Sequence, residues 1–340
     1  MSHSHLGPVT TALTLVTVLF PLFAPSAGRA AETNANPASL ADRPQPAGLF
    51  VHDPSTLVKH GLEYWFFSTG NGIVSRHSSD LLHWQAGPSV FTNIPDWTTN
   101  VVSGFRGHFW APDLMFLKDR YLLYYSVSRW GTNTSAIGLA TNPTLDPSDP
   151  LYQWTDGGIV IQTRAGDPFN AIDPGVTLDP TGNLWLVFGS FWSGIKLIQL
   201  DPATGKRFAP DSPVYSLAHH DKIEAACLYP HDNFYYLFVN WGQCCRGVNS
   251  TYNIRVGRSP LITGPYLDKD GADMLHDGGT LFLDTRDKYI GPGHAGIYSE
   301  AGTNWFSFHY YDGSRRGTPT LGLGQLQWAK DGWPVFVPTD

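Results

Sequence analysis

The stretch Asn170-Ala171-Ile172-Asp173-Pro174, with Gly182-Asn183-Leu184-Trp185-Leu186-Val187-Phe188-Gly189-Ser190-Phe191-Trp192-Ser193-Gly194-Ile195-Lys196-Leu197 after it, decides the fold. An acidic residue opens it, set between apolar side chains and a proline. A Gly-Asn turn leads into Leu184–Phe188, a nearly continuous apolar run that predicts a strand buried on both faces. The chain returns as Ile-Lys-Leu-Ile-Gln-Leu over 195–200 and stops at Asp201-Pro202 and the Thr204-Gly205 turn. One unit therefore carries a carboxylate at its head and packs two further strands behind it.

Working outward, the same unit recurs four more times. It opens at His52-Asp53-Pro54 before Tyr64–Ser68, and at Trp110-Ala111-Pro112-Asp113 before Tyr121–Ser126. It opens again at Ile223-Glu224-Ala225-Ala226 before Tyr235–Asn240, and at Gly291-Pro292-Gly293-His294 before Trp305–Tyr311. From the polar residue at each head to the end of the second strand, the pairs Asp53/Ser68, Asp113/Ser126, Asp173/Ser190, Glu224/Asn240 and His294/His309 are separated by 15, 13, 17, 16 and 15 positions. Unit starts lie roughly 50 to 70 residues apart, the size of a four-stranded blade, which predicts an all-β, five-bladed β-propeller over residues 48–340. A sandwich would not return a polar residue to the same place each time, and a β-helix would have shorter coils.

Composition agrees. The chain has 340 residues, 14% of them aromatic and only 15% charged, with 35 Gly and 26 Pro. That favours many short strands over helices. The net charge of −7 without a basic stripe argues against nucleic acid as a partner. Residues 1–30 read as a secretory signal peptide. Thr11–Pro25 is apolar but short for a membrane span, and Gly28 and Ala30 are spaced for cleavage after Ala30. Residues 31–47, rich in Ala, Asn and Pro, read as a linker. Of three cysteines, Cys244 and Cys245 are adjacent and Cys227 stands apart, without zinc-site spacing. A strained bridge between the adjacent pair and two free thiols both remain open. Sequons stand at Asn133 and Asn249.

A propeller turns the repeat into a site, because the first strand of every blade lines the central channel. Asp53, Asp113, Asp173, Glu224 and His294 are then expected to be neighbours on one axis. Carboxylates gathered in one funnel repel, so at least one should have a raised pKa. Singly, an Asp-Pro pair is as often a turn starter. Asp53, Asp173 and Glu224 together point to catalysis.

These motifs, with Thr134–Ala140 and Gly189-Ser190-Phe191-Trp192, resemble the endo-α-1,5-L-arabinanases, five-bladed-propeller glycoside hydrolases of family 43. The likeness runs in order from about residue 48 to 340. It implies inverting cleavage of internal α-1,5-arabinofuranosyl bonds of arabinan, the side chain of pectin, by a secreted enzyme expected to be a monomer that needs no membrane or organic cofactor. Carried over by motif, Asp53 is the general base and Glu224 the general acid. Asp173 orients substrate and, staying ionised, holds Glu224 protonated. His294 resembles the family's axial metal ligand, holding a hydrated calcium. Ala226 departs from the proline expected in many relatives.

An inverting hydrolase needs its two carboxyls roughly 6.5–9.5 Å apart to admit water, a gap that opposite walls of a funnel can hold. Trp110, Phe191 and Trp192 could offer aromatic faces to furanose rings. Asp113, Asn170 and Ser190 stand in the same motifs and are expected to line the substrate site. Two other readings use the same scaffold: an exo-acting arabinofuranosidase or β-xylosidase, and a carbohydrate-binding propeller without catalysis.

Overall fold

The computed structural model describes residues 49–339, with Met1 and His3. The expected signal peptide and linker otherwise lie outside the described residues. Five antiparallel sheets follow one another along the chain. Blade 1 comprises Val58–His60, Glu63–Ser68, Val74–Ser78 and Gln85–Ala86, and blade 2 comprises His108–Leu117, Arg120–Val127, Ser135–Asn142 and Thr155–Thr163. Blade 3 comprises Gly175–Leu178, Leu184–Phe188, Ile195–Leu200 and Tyr215–Ala218. Blade 4 comprises Ile223–His231, Phe234–Trp241, Asn253–Ser259 and Thr280–Leu283, and blade 5 comprises Tyr289–Glu300, Thr303–Asp312, Thr318–Trp328 and Pro334–Pro338. A two-residue strand, Gly70–Asn71, adds a fifth member to blade 2. The α-helical content of the described residues is one short segment, Asp96–Val101.

The opening stretch explains how blades hold together. Side chains alternate along a strand, and every residue of Leu184–Phe188 is buried. Leu184, Leu186 and Phe188 pack toward blade 2, against Leu122, Tyr124, Ile137 and Leu139. Trp185 and Val187 pack the other way, with Leu228, Leu237 and Val239 of blade 4. Three more clusters fill the interfaces between blades 1 and 2, 4 and 5, and 5 and 1. A middle strand apolar on both faces is thus required by a ring in which each sheet is sandwiched between two others. Fully burying one such side chain contributes about 1.5–3 kcal/mol.

Closure joins blade 5 to blade 1 without a shared sheet among the described residues. Val51 N–H donates to Pro319 C=O at 3.0 Å, Phe50 bridges Thr320, and Val51, Leu57 and Phe66 pack with Trp305, Leu321 and Leu323.

The inner edge carries a repeated irregularity. Asp53, Ala111, Asp173, Ala225 and His294 all have positive φ, at 49°, 45°, 57°, 52° and 63°. This left-handed backbone is disfavoured by roughly 1–2 kcal/mol for a residue with a Cβ. In blades 2, 4 and 5 it coincides with a register shift, between Trp110 and Asp113, Glu224 and Cys227, and Gly293 and Gly296. Such bulges re-aim side chains. The five-fold equivalent positions are therefore these, and not the set expected from sequence. Asp113 falls two residues past its blade's position and Glu224 one residue before.

Candidate active site

Each of these inner residues is tied to the preceding blade. Thr69 Oγ1 accepts Ala111 N–H (2.8 Å), Ser126 Oγ accepts Asp173 N–H (3.0 Å), and Asn240 Oδ1 accepts His294 N–H (2.9 Å). His309 Nδ1 accepts Asp53 N–H at 3.1 Å and closes the ring. The polar residues that ended each second strand in the sequence are, in four of five blades, these acceptors or their immediate neighbour. Blade 4 breaks the rule. Ser190 Oγ instead donates to Glu224 Oε2 at 2.6 Å, and Ala225 N–H turns to Asp173 Oδ2 at 3.3 Å.

The three catalytic candidates converge. Asp53 Oδ2 accepts from Thr69 Oγ1 (2.6 Å) and pairs with His52 Nδ1 (2.8 Å). Its Oδ1 lies 3.6 Å from Nδ1 of both His294 and His309. Burial alone would push this carboxyl up, but the charge and hydrogen bond of His52 hold it well below the usual carboxylate range. His52 is correspondingly pushed up, against burial, to about 10. Asp53 is thus an ionised acceptor, the state a base needs.

Glu224 is held at both oxygens, by Ser190 at Oε2 and by the Tyr252 hydroxyl at Oε1. Burial pushes its pKa up against those two donors, and the charge of Asp53 adds to the rise. Asp173 is pushed well above its ordinary value by burial and then by Glu224 and Asp53. That direction runs against the ionised Asp173 expected from the sequence. Asp173 has one backbone donor where Glu224 has two hydroxyls, and burial with like charge drives the titration of both carboxyls upward.

These groups open into a cleft of about 1190 Å³. Trp110, Asn170, Ser190, Phe191 and Trp192 line it as expected, as do Asp53, Asp173, Glu224 and His294. Trp192 is 43% exposed, a face free to meet a ligand. Asn170 Oδ1 is buried with no partner. Ser190 is better described as a positioning residue, since its hydroxyl is committed to Glu224. Asp113 is a correction. It is absent from the cleft lining, and its carboxylate accepts Thr56 N–H (2.9 Å) from blade 1 and Val176 N–H (2.8 Å) from blade 3. It braces three blades rather than binding substrate.

Sequence reasoning did not assign His52, Thr69, Tyr252 or Trp130. His52 stood beside Asp53 and could have been found by adjacency. Tyr252, at the head of a third strand, carried no signal. Trp130 is 71% exposed and lies 5.6 Å from Trp110, extending the aromatic wall.

For a cation at His294, the donor set decides the fit. Burial lowers the His294 pKa, leaving a neutral imidazole able to ligate. Asp53 is already engaged by His52 and Thr69. His309 uses Nδ1 to accept Asp53 N–H, so its proton is on Nε2, which has no partner, and neither nitrogen offers a lone pair to a cation. Calcium takes six to eight oxygen ligands. The residues therefore fit a largely hydrated ion on one imidazole, and not a protein cage.

The family model described as "Glycosyl hydrolases family 43" matches residues 47–334. An extracellular endo-alpha-(1->5)-L-arabinanase of Bacillus subtilis is 42% identical over 294 residues, spanning 84% of this chain and 87% of that protein. An extracellular exo-alpha-(1->5)-L-arabinofuranosidase of Cellvibrio japonicus is 39% identical over 298 residues, spanning 84% and 85%. The solved alpha-L-arabinanase of Cellvibrio cellulosa complexed with arabinohexaose superposes with a TM-score of 0.81, at 39% identity over 85% of this chain and 96% of that one.

Proposed function

The chain belongs to glycosyl hydrolases family 43, and from that premise we propose that it hydrolyses internal α-1,5-L-arabinofuranosyl linkages of arabinan with inversion. The observation that carries the reading is the division of labour among three carboxyls in one cleft. His52 holds the Asp53 carboxyl low, while burial and like charge push Glu224 and Asp173 up. One base and one acid, on blades 1 and 4, are what bond cleavage with water requires. Water loses a proton to Asp53 as it attacks the anomeric carbon, and Glu224 donates its proton to the departing oxygen. The proton that Asp53 takes from water balances the one Glu224 gives up, and exchange with solvent resets both groups.

Aromatic faces from three blades ring the cleft: Phe50, Trp110 with Trp130, and Phe191 with Trp192. Sugar residues on more than one side of the carboxyls would meet such a face, which supports internal cleavage. Relatives include one endo-acting and one exo-acting enzyme, so product analysis decides. An early ladder of arabino-oligosaccharides from linear arabinan is expected, with a fast fall in viscosity. A single product size from the first minutes would mean exo action.

Secretion and a hydrated calcium on His294 belong to the same proposal. The first is supported by the apolar leader and by relatives named extracellular. The second is supported by the neutral imidazole at the cleft floor. Bound there, the ion would supply positive charge among the carboxylates.

A further inference from the structure

Cys244 and Cys245 have no part in the chemistry above, and their spacing in the sequence matches no metal motif. The fold supplies the missing partner. His52, 193 positions away, brings Nε2 to 3.5 Å from Cys245 Sγ, and Cys244 Sγ lies 2.6 Å from Cys245 Sγ. One ligand atom from each of the three residues falls within 4.8 Å of the others. All three line the cleft, and Cys245 is exposed.

We propose that Cys244, Cys245 and His52 form a site for a thiophilic divalent cation, such as Zn²⁺ or Cd²⁺, opening onto the cleft beside Asp53. Tetrahedral bonds of about 2.3 Å to sulfur and 2.0 Å to nitrogen put those two ligand atoms about 3.5 Å apart. Cys245 and His52 already have that separation. Two sulfurs on one ion stand about 3.8 Å apart, so the thiols must part by about 1.2 Å, a shift of the Cys244 side chain that leaves the Cys245–His52 separation in place.

The surroundings suit the role. His52 holds Asp53 Oδ2 through Nδ1 at 2.8 Å, the carboxylate–imidazole contact that orients metal-binding histidines. The Cys245 thiol is pulled down to about 5, since the hydrogen bond from Cys244 and the neighbouring His52 outweigh burial. Binding displaces the protons still held by Cys244 and His52. Two thiolates then balance a divalent charge. The Tyr311 hydroxyl, now 2.8 Å from His52 Nε2, must yield that nitrogen, while keeping its contact with Cys245 N–H at 2.6 Å. The fourth position is left to water. An occupant would take His52 Nε2 and alter the partner of Asp53, so it should inhibit.

The test is titration of the reduced, purified protein with Cd²⁺, reading the ultraviolet thiolate-to-metal charge-transfer band and arabinan hydrolysis at each addition. We expect the band to saturate at one equivalent, to vanish in the Cys244→Ser/Cys245→Ser double variant, and to weaken in His52→Gln. Hydrolysis should fall by about 10²-fold, the lower end of what general-base catalysis contributes, and recover when a chelator strips the Cd²⁺ in the presence of excess Ca²⁺. No band at one equivalent, or a band unchanged in the double variant, overturns the site. So does finding one reactive thiol, rather than three, in unfolded protein purified without reductant, because the pair would then be a disulfide. The absorption arm is independent of the proposed reaction, and the kinetic arm rests on it. A saturated band with full activity overturns the inhibition alone.

Discussion

His309 Nδ1 accepts the backbone N–H of Asp53 across 3.1 Å, although 256 positions separate the two residues. One contact thereby joins the last blade to the first and fixes the carboxylate proposed as base. His309 is fully buried, so removing its acceptor leaves an unpaired N–H in the interior, at a loss of about 1–3 kcal/mol. His309→Leu should lower the melting temperature and kcat together. His309→Asn offers the kind of acceptor that Asn240 presents to His294, and should lose less of both. Equal losses in the two variants would mean that the ring packs without this bond.

Tyr252 donates to Glu224 Oε1, and Ser190 to Oε2. Both donors favour the ionised carboxylate, so deleting one should raise the Glu224 pKa. Tyr252→Phe is expected to move the alkaline limb of kcat/KM to higher pH. Glu224→Gln should lower the rate by 10²-fold or more, since general acid catalysis contributes about 10²–10⁴. An alkaline limb that stays in place in Tyr252→Phe would show that another group sets it.

What the sequence made legible follows from which constraints leave a pattern. Leu184–Phe188 reads as a doubly buried strand because its alternate residues face different neighbours, both apolar. The outer strands Thr155–Thr163 and Thr280–Leu283 went unseen, since an edge with mixed burial imposes no regular alternation. The carboxylates were legible by motif, but the five-fold position was not. Positive φ selects it, and in blades 2 and 4 it falls on alanine, which carries no chemical signal. Asp113 was misplaced for that reason. Tyr252 and the His52–Cys245 contact arise only when distant blades meet.

His52 sets the acid side. Its charge holds Asp53 down, so His52→Gln should raise the Asp53 pKa and move the acid limb of kcat/KM to higher pH. Stability carries the same signature. A lowered carboxyl contributes above its unfolded value of about 3.9, and a raised imidazole contributes below its unfolded value of about 6.5. The difference in unfolding free energy between wild type and His52→Gln should therefore be largest between those values. It should shrink as acid protonates Asp53, and shrink again as the pH rises toward about 10, where His52 loses its proton. A difference that is flat across this range would exclude the pair as its source.

Exhaustive chelation tests the cation on His294. A bound ion stabilises by mass action, so its removal should lower the melting temperature and the rate, and His294→Ala should be insensitive to chelator. Wild type indifferent to chelator in both measurements would remove the ion from the proposal.

The last prediction joins the blades to the stereochemistry. Asp53 belongs to blade 1 and Glu224 to blade 4, with the ring closing through blade 5 between them. A nucleophilic carboxylate has to touch the anomeric carbon, and retaining enzymes hold their two carboxyls only about 5–5.5 Å apart. Asp53 is poorly disposed for that role. Its Oδ2 is held by Thr69 and His52, and its Oδ1 lies 3.6 Å from His294 and His309 without a hydrogen bond. The two contacts at Oδ2 stabilise the ionised form and leave Oδ1 able to take a proton from water. Water, and not the carboxylate, should then attack the face opposite the departing oxygen. Arabinan is α-linked, so the newly exposed reducing end should appear first as the β-anomer and drift toward the equilibrium mixture by mutarotation. Proton NMR on product formed within the first minutes, at high enzyme concentration, reads this directly. Initial release of the α-anomer would require a covalent intermediate on Asp53 and would overturn its assignment as base.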